Sequence, residues 1–134
     1  KRGFGEGRWN GFGGKVSENE TIEQAMHREL QEEVGVEVQD TTEIGILEFN
    51  FEQSPDTLEV HVFSSTSFRG EPTETEEMKP QWFSINEIPF DTMWADDRHW
   101  FPLFLCGKKF TGSFLFDSDG TSILKQELKE VETL

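Results

Sequence analysis

The chain has 134 residues, with 27 acidic against 12 basic side chains and a formal net charge of −15. That length suits a single domain over residues 1–134 with room for a useful core. The charge argues against nucleic acid or an anionic membrane surface as a partner. No apolar run approaches the roughly 20 residues of a membrane span, and no secretory leader is visible. The single Cys106 rules out an internal disulfide and fits a reducing compartment. Thirteen Phe and four Trp supply much of the expected core, and Tyr is absent.

Residues 1–14 read as a glycine-rich loop. A helix is expected from Ile22 to Val34, with Thr21 as N-cap, Gln24 completing a capping box and Gly35 as the stop. Val36–Val38 suggests a short strand. Ile44–Phe51 alternates, with Leu47, Phe49 and Phe51 on one face; Leu58–Phe63 alternates too, and the turn at Ser54-Pro55-Asp56 predicts that the two pair antiparallel. Gln81–Phe83 reads as another short strand. A second helix is expected over Asp96–Cys106, with acids in its first turn and Lys108 and Lys109 just past its end, as the helix dipole favours. Pro102 should kink that helix or delay its start. Cys106 is expected to be an inert, packed thiol. Phe110–Phe116 and Thr121–Leu128 form a final hairpin across Asp119-Gly120. The pattern is an α/β chain, a mixed sheet with helices packed on it.

The first helix carries an unusual set of charges. At about 100° per residue, with Ile22 as zero, Glu29 falls near −20°, Glu33 near +20° and Glu32 near −80°. Ile22, Ala25 and Met26 share that sector, so the acids are placed on the half-buried face. Like charges at i, i+4 repel, and burying them unpaired costs far more. A divalent cation is the simplest partner, and hard oxygen ligands suit magnesium or manganese. The plain alternative is a solvated glutamate-rich helix.

The string from Gly14 to Val36 resembles the Nudix box, Gly-x5-Glu-x7-Arg-Glu-U-x-Glu-Glu-x-Gly-U, where U is a bulky aliphatic. Gly14, Glu20, Arg28, Glu29, Leu30, Glu32, Glu33, Gly35 and Val36 fill every fixed position. The resemblance implies a Nudix fold, an α/β/α sandwich, and magnesium-dependent hydrolysis of a nucleoside diphosphate linked to another group. It implies Glu29 and Glu33 as metal ligands, Glu32 as a ligand or an outer group, the Gly13 carbonyl in the coordination, and a glutamate from a later loop, for which Glu77 is chosen. Glu77 is equally readable as part of a plain acidic loop. Glu20 is expected to shape the loop, and Arg28 to pair with and orient a neighbouring carboxylate. Gly11, Gly13 and Gly14 would let the backbone approach substrate, and Lys15 could reach a phosphate or be a surface lysine. The chain opens at Lys1 on the glycine-rich turn, without the strand that this fold carries upstream. Absence of that strand would expose a sheet edge and remove part of the pocket wall.

Three flanking stretches, Lys1–Lys15, Val60–Phe63 and Pro89–Leu103, are similar to the animal MutT-homologue branch of the family. That resemblance implies hydrolysis of oxidised purine nucleoside triphosphates, 8-oxo-dGTP and 2-hydroxy-dATP, to monophosphate and pyrophosphate. The place of work would be the cytoplasm, with mitochondria and nucleus also implied, and the working form a monomer.

The implied pocket makes physical sense. Trp94 offers a flat face for a purine, Phe49 and Phe51 an opposite wall, and Phe4 belongs to the same set. Asn10 offers donor and acceptor to a base edge. Adjacent Asp96 and Asp97 beside a tryptophan should have at least one raised pKa, and a shared proton would let the pair meet two purine edge patterns. The alternatives are an acid pair favoured by the helix dipole and, for Trp94, ordinary core; Trp100 is read as core. His27 is read as a solvated helix residue, and His61 as a strand residue of open role. Two rivals stand beside this reading. One is a Nudix enzyme for another nucleotide, such as a methylated purine nucleotide or a nucleotide sugar. The other is a catalytically idle nucleotide-binding module, against which the intact Glu29, Glu32 and Glu33 speak.

Overall fold

The computed structural model describes residues 17–72 and 81–134. Phe4, Asn10, Gly11, Gly13, Gly14, Lys15 and Glu77 lie outside the described residues. The described chain falls into two compact units. One contains residues 17–41, 65–72 and 81–92; the other contains residues 42–64 and 93–134.

The first unit is built on helix α1, Ile22–Val34. Its start is determined locally. The Thr21 hydroxyl accepts from the Gln24 N–H at 3.1 Å, and the Gln24 side chain accepts from the Thr21 N–H at 2.8 Å. This reciprocal pair satisfies two of the orphan donors of the first turn. Its end is equally local. Gly35 takes the left-handed conformation at φ 73°, and its N–H donates to the Gln31 carbonyl at 3.0 Å. Strand β1, Glu37–Gln39, follows. It begins one residue later than expected, since Val36 is buried next to the helix cap.

The partner of β1 was not anticipated. Ser67–Arg69 forms a strand, here β4, antiparallel to β1 with Glu37 opposite Arg69. Three residues are too few for alternation to be visible. Conversely, Gln81–Phe83 is not a strand: residues 81–84 are irregular and lead into a 3₁₀ turn at Ile85–Glu87. Trp82 and Phe83 have the composition of a strand, but no ladder forms beside them among the described residues. Trp82 is 72% exposed, touched by the Phe68 ring at 5.5 Å.

The second unit is a four-stranded mixed sheet. Its strands are β2, Thr42–Phe51, β3, Thr57–Ser64, β5, Lys109–Phe116, and β6, Ile123–Val131, in the order β3-β2-β5-β6. The expected hairpins are present: β2 pairs antiparallel with β3, and β5 with β6. Between them β2 and β5 run parallel, Gly45 opposite Phe110 through Phe51 opposite Phe116. The alternation expected for β3 does not show in its burial: it is an edge strand, its first half exposed on both faces, Leu58 and Val60 included, and its second half half-buried. β6 starts at Ile123 because the Asp117 carboxylate holds the N–H groups of Thr121 and Ser122 in the turn, at 3.0 and 3.3 Å.

The core of this unit is aromatic. Leu47, Phe110, Phe114 and Phe116 are sealed, and Ile44 and Trp100 join them. Trp100 comes from helix α2, Asp97–Leu105, and stacks on Phe110 at 5.6 Å. Pro102 lies inside α2 without delaying its start. The Cys106 N–H still reaches the Pro102 carbonyl at 3.2 Å, so the turn closes beyond the proline. Cys106 itself is exposed, not packed, because it caps the helix end.

A glycine is required under the Phe110 ring. A Cβ on Gly45 would stand 2.3 Å from Cε2 of Phe110, whose side chain is fully buried. Gly45→Ala is therefore expected to destabilise the fold by about 1–3 kcal/mol, the usual cost of overpacking. Urea unfolding of the variant checks this, and an unchanged midpoint would show that the ring can move aside.

Candidate active site

Four of the box residues are tied together by one guanidinium. Arg28 Nη2 donates to Glu20 Oε1 at 2.8 Å, and its Nε to Glu20 Oε2 at 3.2 Å. Its Nη1 donates to Glu29 Oε1 at 2.8 Å and to Glu32 Oε2 at 3.1 Å. The last contact is an i, i+4 pair on α1. Glu20 in turn accepts from the Ser17 N–H at 2.7 Å, so it clamps the turn before the helix. The expected parts for Arg28, pairing and orienting, and for Glu20, shaping the loop, are both visible. The Arg28 guanidinium, helped by the Ser17 N–H, holds the Glu20 carboxyl down at about 2. The hydrogen bonds that Arg28 donates to Glu20 and Glu29 raise its own pKa.

The box carboxylates differ in exposure. Glu33 is buried, Glu29 is half-buried, and Glu32 is exposed. Glu32 thus departs from the half-buried face expected for all three; its −80° offset takes it to the rim, where Arg28 meets it. Among the described residues no three His, Cys, Asp or Glu side chains converge on a common metal position. Glu29 and Glu32 converge on Arg28 instead. The donor chemistry nonetheless fits a hard divalent cation: successive turns of α1 offer only carboxylate oxygens, one of them buried.

The second unit carries the aromatic and aspartate residues. Phe51 stacks on Phe116 at 5.5 Å and 20°. Phe49 lies 5.9 Å from both Phe114 and Phe116, and half-buried Trp94 meets Phe116 edge-on at 6.2 Å. Phe49, Phe51 and Trp94 therefore belong to one aromatic cluster with Phe116 at its centre. Phe116 escaped the sequence reading because only the parallel pairing of β2 with β5 sets it beside Phe51.

Asp96 and Asp97 are both buried, at 4% and 8% exposure. Asp96 occupies the N-cap position of α2 but makes no side-chain cap. Its Oδ2 accepts instead from Nε1–H of Trp100 at 2.8 Å. A helix-capping role is thus not what turns this side chain. Burial raises the pKa of Asp96, opposed by the Trp100 indole N–H. Burial, then the neighbouring Asp96 charge and hydrogen bond, pushes Asp97 up to about 8. Such an elevation is what two adjacent acids out of water should show. Trp100 is core, as read, and also supplies this buried donor.

His61 sits between two acids, its Nδ1 2.5 Å from Glu43 and its Nε2 2.6 Å from Glu59. Burial disfavours its charge, but the two carboxylates outweigh burial and raise its pKa. His61 bridges β3 to β2 through its contact with Glu43.

The acidic helix and its flanking loop define a class. The NUDIX domain family matches residues 1–104, and the chain belongs to it. It is 53% identical over 133 residues to the mouse protein named oxidized purine nucleoside triphosphate hydrolase, covering 99% of this chain and 85% of that protein. The zebrafish (Danio rerio) protein of the same name is 52% identical over 134 residues, covering 100% and 85%. Among solved structures, a MutT protein from Bacillus halodurans superposes with a TM-score of 0.84 at 26% identity, covering 92% of this chain and 83% of that one. The chain thus has the Nudix fold, an α/β arrangement of mixed sheet and helices, and is a Nudix hydrolase, an enzyme of a family that uses divalent metal ions. No helix among the described residues is long and apolar enough to cross a membrane.

Two expectations follow from the charges. Arg28→Ala should return the Glu20 carboxyl from about 2 toward the ordinary glutamate range. Carboxyl NMR titration reads this directly, and a titration that stays near its original position would show that Ser17 alone holds Glu20. For Asp97, the folded pKa lies above the 3.8 of an ordinary aspartate. Its protonation therefore favours the fold, fully so below 3.8, and that contribution is lost as pH rises through about 8. Asp97→Asn, which cannot ionise, should gain stability relative to the parent progressively over that window and level off above it. Denaturant melts at intervals of pH test this; a difference constant with pH would refute the raised pKa.

Proposed function

We infer that this enzyme hydrolyses oxidised purine nucleoside triphosphates, 8-oxo-dGTP and 2-hydroxy-dATP, to the monophosphate and pyrophosphate, with Mg²⁺ as its metal. It thereby removes mutagenic precursors from the nucleotide pool. The observation that carries the reading is the buried Asp96–Asp97 pair in a chain that keeps an intact Nudix helix. The names of the mouse and zebrafish relatives support oxidised purine nucleoside triphosphates as the substrate class.

The roles divide by chemistry. Glu29, Glu33, the Gly13 carbonyl and Glu77 hold the metal, with Glu32 as a further ligand or as an outer group oriented by Arg28. When bound, Mg²⁺ supplies charge neutralisation at the phosphates. The helix carboxylates also supply the base that takes a proton from the attacking water. Lys15 meets a phosphate. Trp94 stacks on the purine, contributing about 1–3 kcal/mol as base–aromatic contacts do. Phe49, Phe51 and Phe4 wall the base, and Asn10 reads its edge. Asp97, carrying the proton at neutral pH, donates, while Asp96 accepts; moving the proton between them presents the second pattern and admits the second base. The protein works as a monomer in the cytoplasm, with mitochondria and nucleus as further places of work, and within a single domain spanning residues 1–134.

A product survey tests the substrate. Oxidised and unmodified nucleotides are incubated with Mg²⁺ and separated by chromatography, and the oxidised purines should be converted preferentially, with pyrophosphate released. Preferential cleavage of a methylated purine nucleotide or a nucleotide sugar would replace this reading, and binding without turnover would make the chain a sensing module. Glu33→Gln tests the metal assignment. It keeps the shape of a buried side chain but loses charge and basicity, so turnover should fall by at least about a hundredfold while nucleotide binding persists. Near-normal turnover would displace Glu33 from the site.

A further inference from the structure

Trp100 lies in the aromatic core, where its ring stacks on Phe110 and touches Phe101 at 4.5 Å. Packing alone would need only a hydrophobic ring there. The indole also has one polar atom, and its direction is specific: Nε1–H points at Oδ2 of Asp96, 2.8 Å away and buried. The two residues are four apart, so α2 sets them one above the other on the same face.

An indole N–H donates and cannot accept. The Asp96 oxygen it touches must therefore present a lone pair, and the contact is strongest when Asp96 is a carboxylate. Asp97 has no such donor on it from Trp100. The main-chain N–H of Asp96 itself and a hydrogen bond with Asp97 also favour the Asp96 charge. His99, three residues on, is the further titratable group whose charge acts on Asp96. Asp96 thus carries the indole N–H and its own main-chain N–H, against one main-chain hydrogen bond on Asp97, at Trp94, so the indole tips two chemically identical neighbours apart.

We propose that Trp100 is a positioning residue for substrate selection: its Nε1–H holds Asp96 as the hydrogen-bond acceptor of the buried pair, so that Asp97 carries the shared proton. This rests on the reading of Asp96 and Asp97 as the base-recognition pair. Through that bias the indole, itself a core residue, sets which purine edge meets the pair in its resting state. The bias is consistent with the raised pKa of Asp97.

The test removes the N–H without removing the ring. Trp100 is replaced by 3-benzothienylalanine, in which sulfur takes the place of the indole N–H, and in parallel by phenylalanine (Trp100→Phe). Carboxyl NMR of the substrate-free protein follows both aspartates, and kcat/KM is measured for 8-oxo-dGTP and 2-hydroxy-dATP. The expected result is an Asp96 midpoint raised by about one unit, tenfold in proton affinity, for loss of a hydrogen bond to a charged group. The ratio of the two efficiencies should change with it. A merely structural tryptophan predicts otherwise: the isostere would leave both midpoints and the ratio alone, and Trp100→Phe would lower both efficiencies in parallel. Either pattern overturns the proposal. The titration needs no substrate, so it decides the role of Trp100 even if neither nucleotide is cleaved, a result that would overturn the proposed activity instead.

Discussion

The parallel pairing of β2 with β5 is the contact on which the sheet unit depends. It joins two hairpins that are each local in sequence but have residues 65–108 between them. It sets Gly45 under the Phe110 ring and Phe51 beside Phe116. Through Phe110 it provides the surface on which Trp100 lands, and through Phe116 the edge that Trp94 meets. A slip of one residue would turn Leu47 and the phenylalanines to the opposite face. The aromatic cluster and the position of α2 would be lost together.

Charge imposes a different constraint on the helix unit. A chain of net charge −15 has placed acids on successive turns of one helix. In the described structure the repulsion is relieved by Arg28, which binds Glu20, Glu29 and Glu32 at once. Arg28 is only about one-third exposed, and its five donors in a fixed fork can serve several carboxylates where a lysine could not. It also couples the helix to the preceding turn, since Glu20 receives both Arg28 and the Ser17 N–H. Glu33, buried and one turn beyond Glu29, lies outside the set of carboxylates that these Arg28 bonds reach.

The acid pair shows how a protein can make a donor from a carboxyl at neutral pH. Neither aspartate has water to solvate its charge, so ionising both is disfavoured. The remaining proton is shared out by neighbours, and here the indole N–H falls on one member only. A site that holds such a pair is costly to keep in the fold. That cost is expected at positions retained for binding chemistry and not for stability.

Much of this was legible in the linear chain. The capping box at Thr21, the stop at Gly35, both hairpins and the acidic string from Gly14 to Val36 rest on neighbours within a few residues, so backbone geometry and hydrogen bonding decide them locally. The same locality explains why the pairing of Arg28 and the clamp by Glu20 could be anticipated. The β1–β4 ladder, the failure of Gln81–Phe83 to form a strand, the exposure of Cys106 and Glu32, the centrality of Phe116 and the donor on Asp96 were not legible. Each depends on which distant surface arrives to cover or pair a residue, and a three-residue strand or one aromatic ring carries no sign of its partner. The sequence by itself determined the helix, its charges, the strand alternation and the family. Only the tertiary structure decided which acids are buried, which are paired and which nitrogen points at Asp96, because burial and hydrogen-bond direction exist only once the elements have packed.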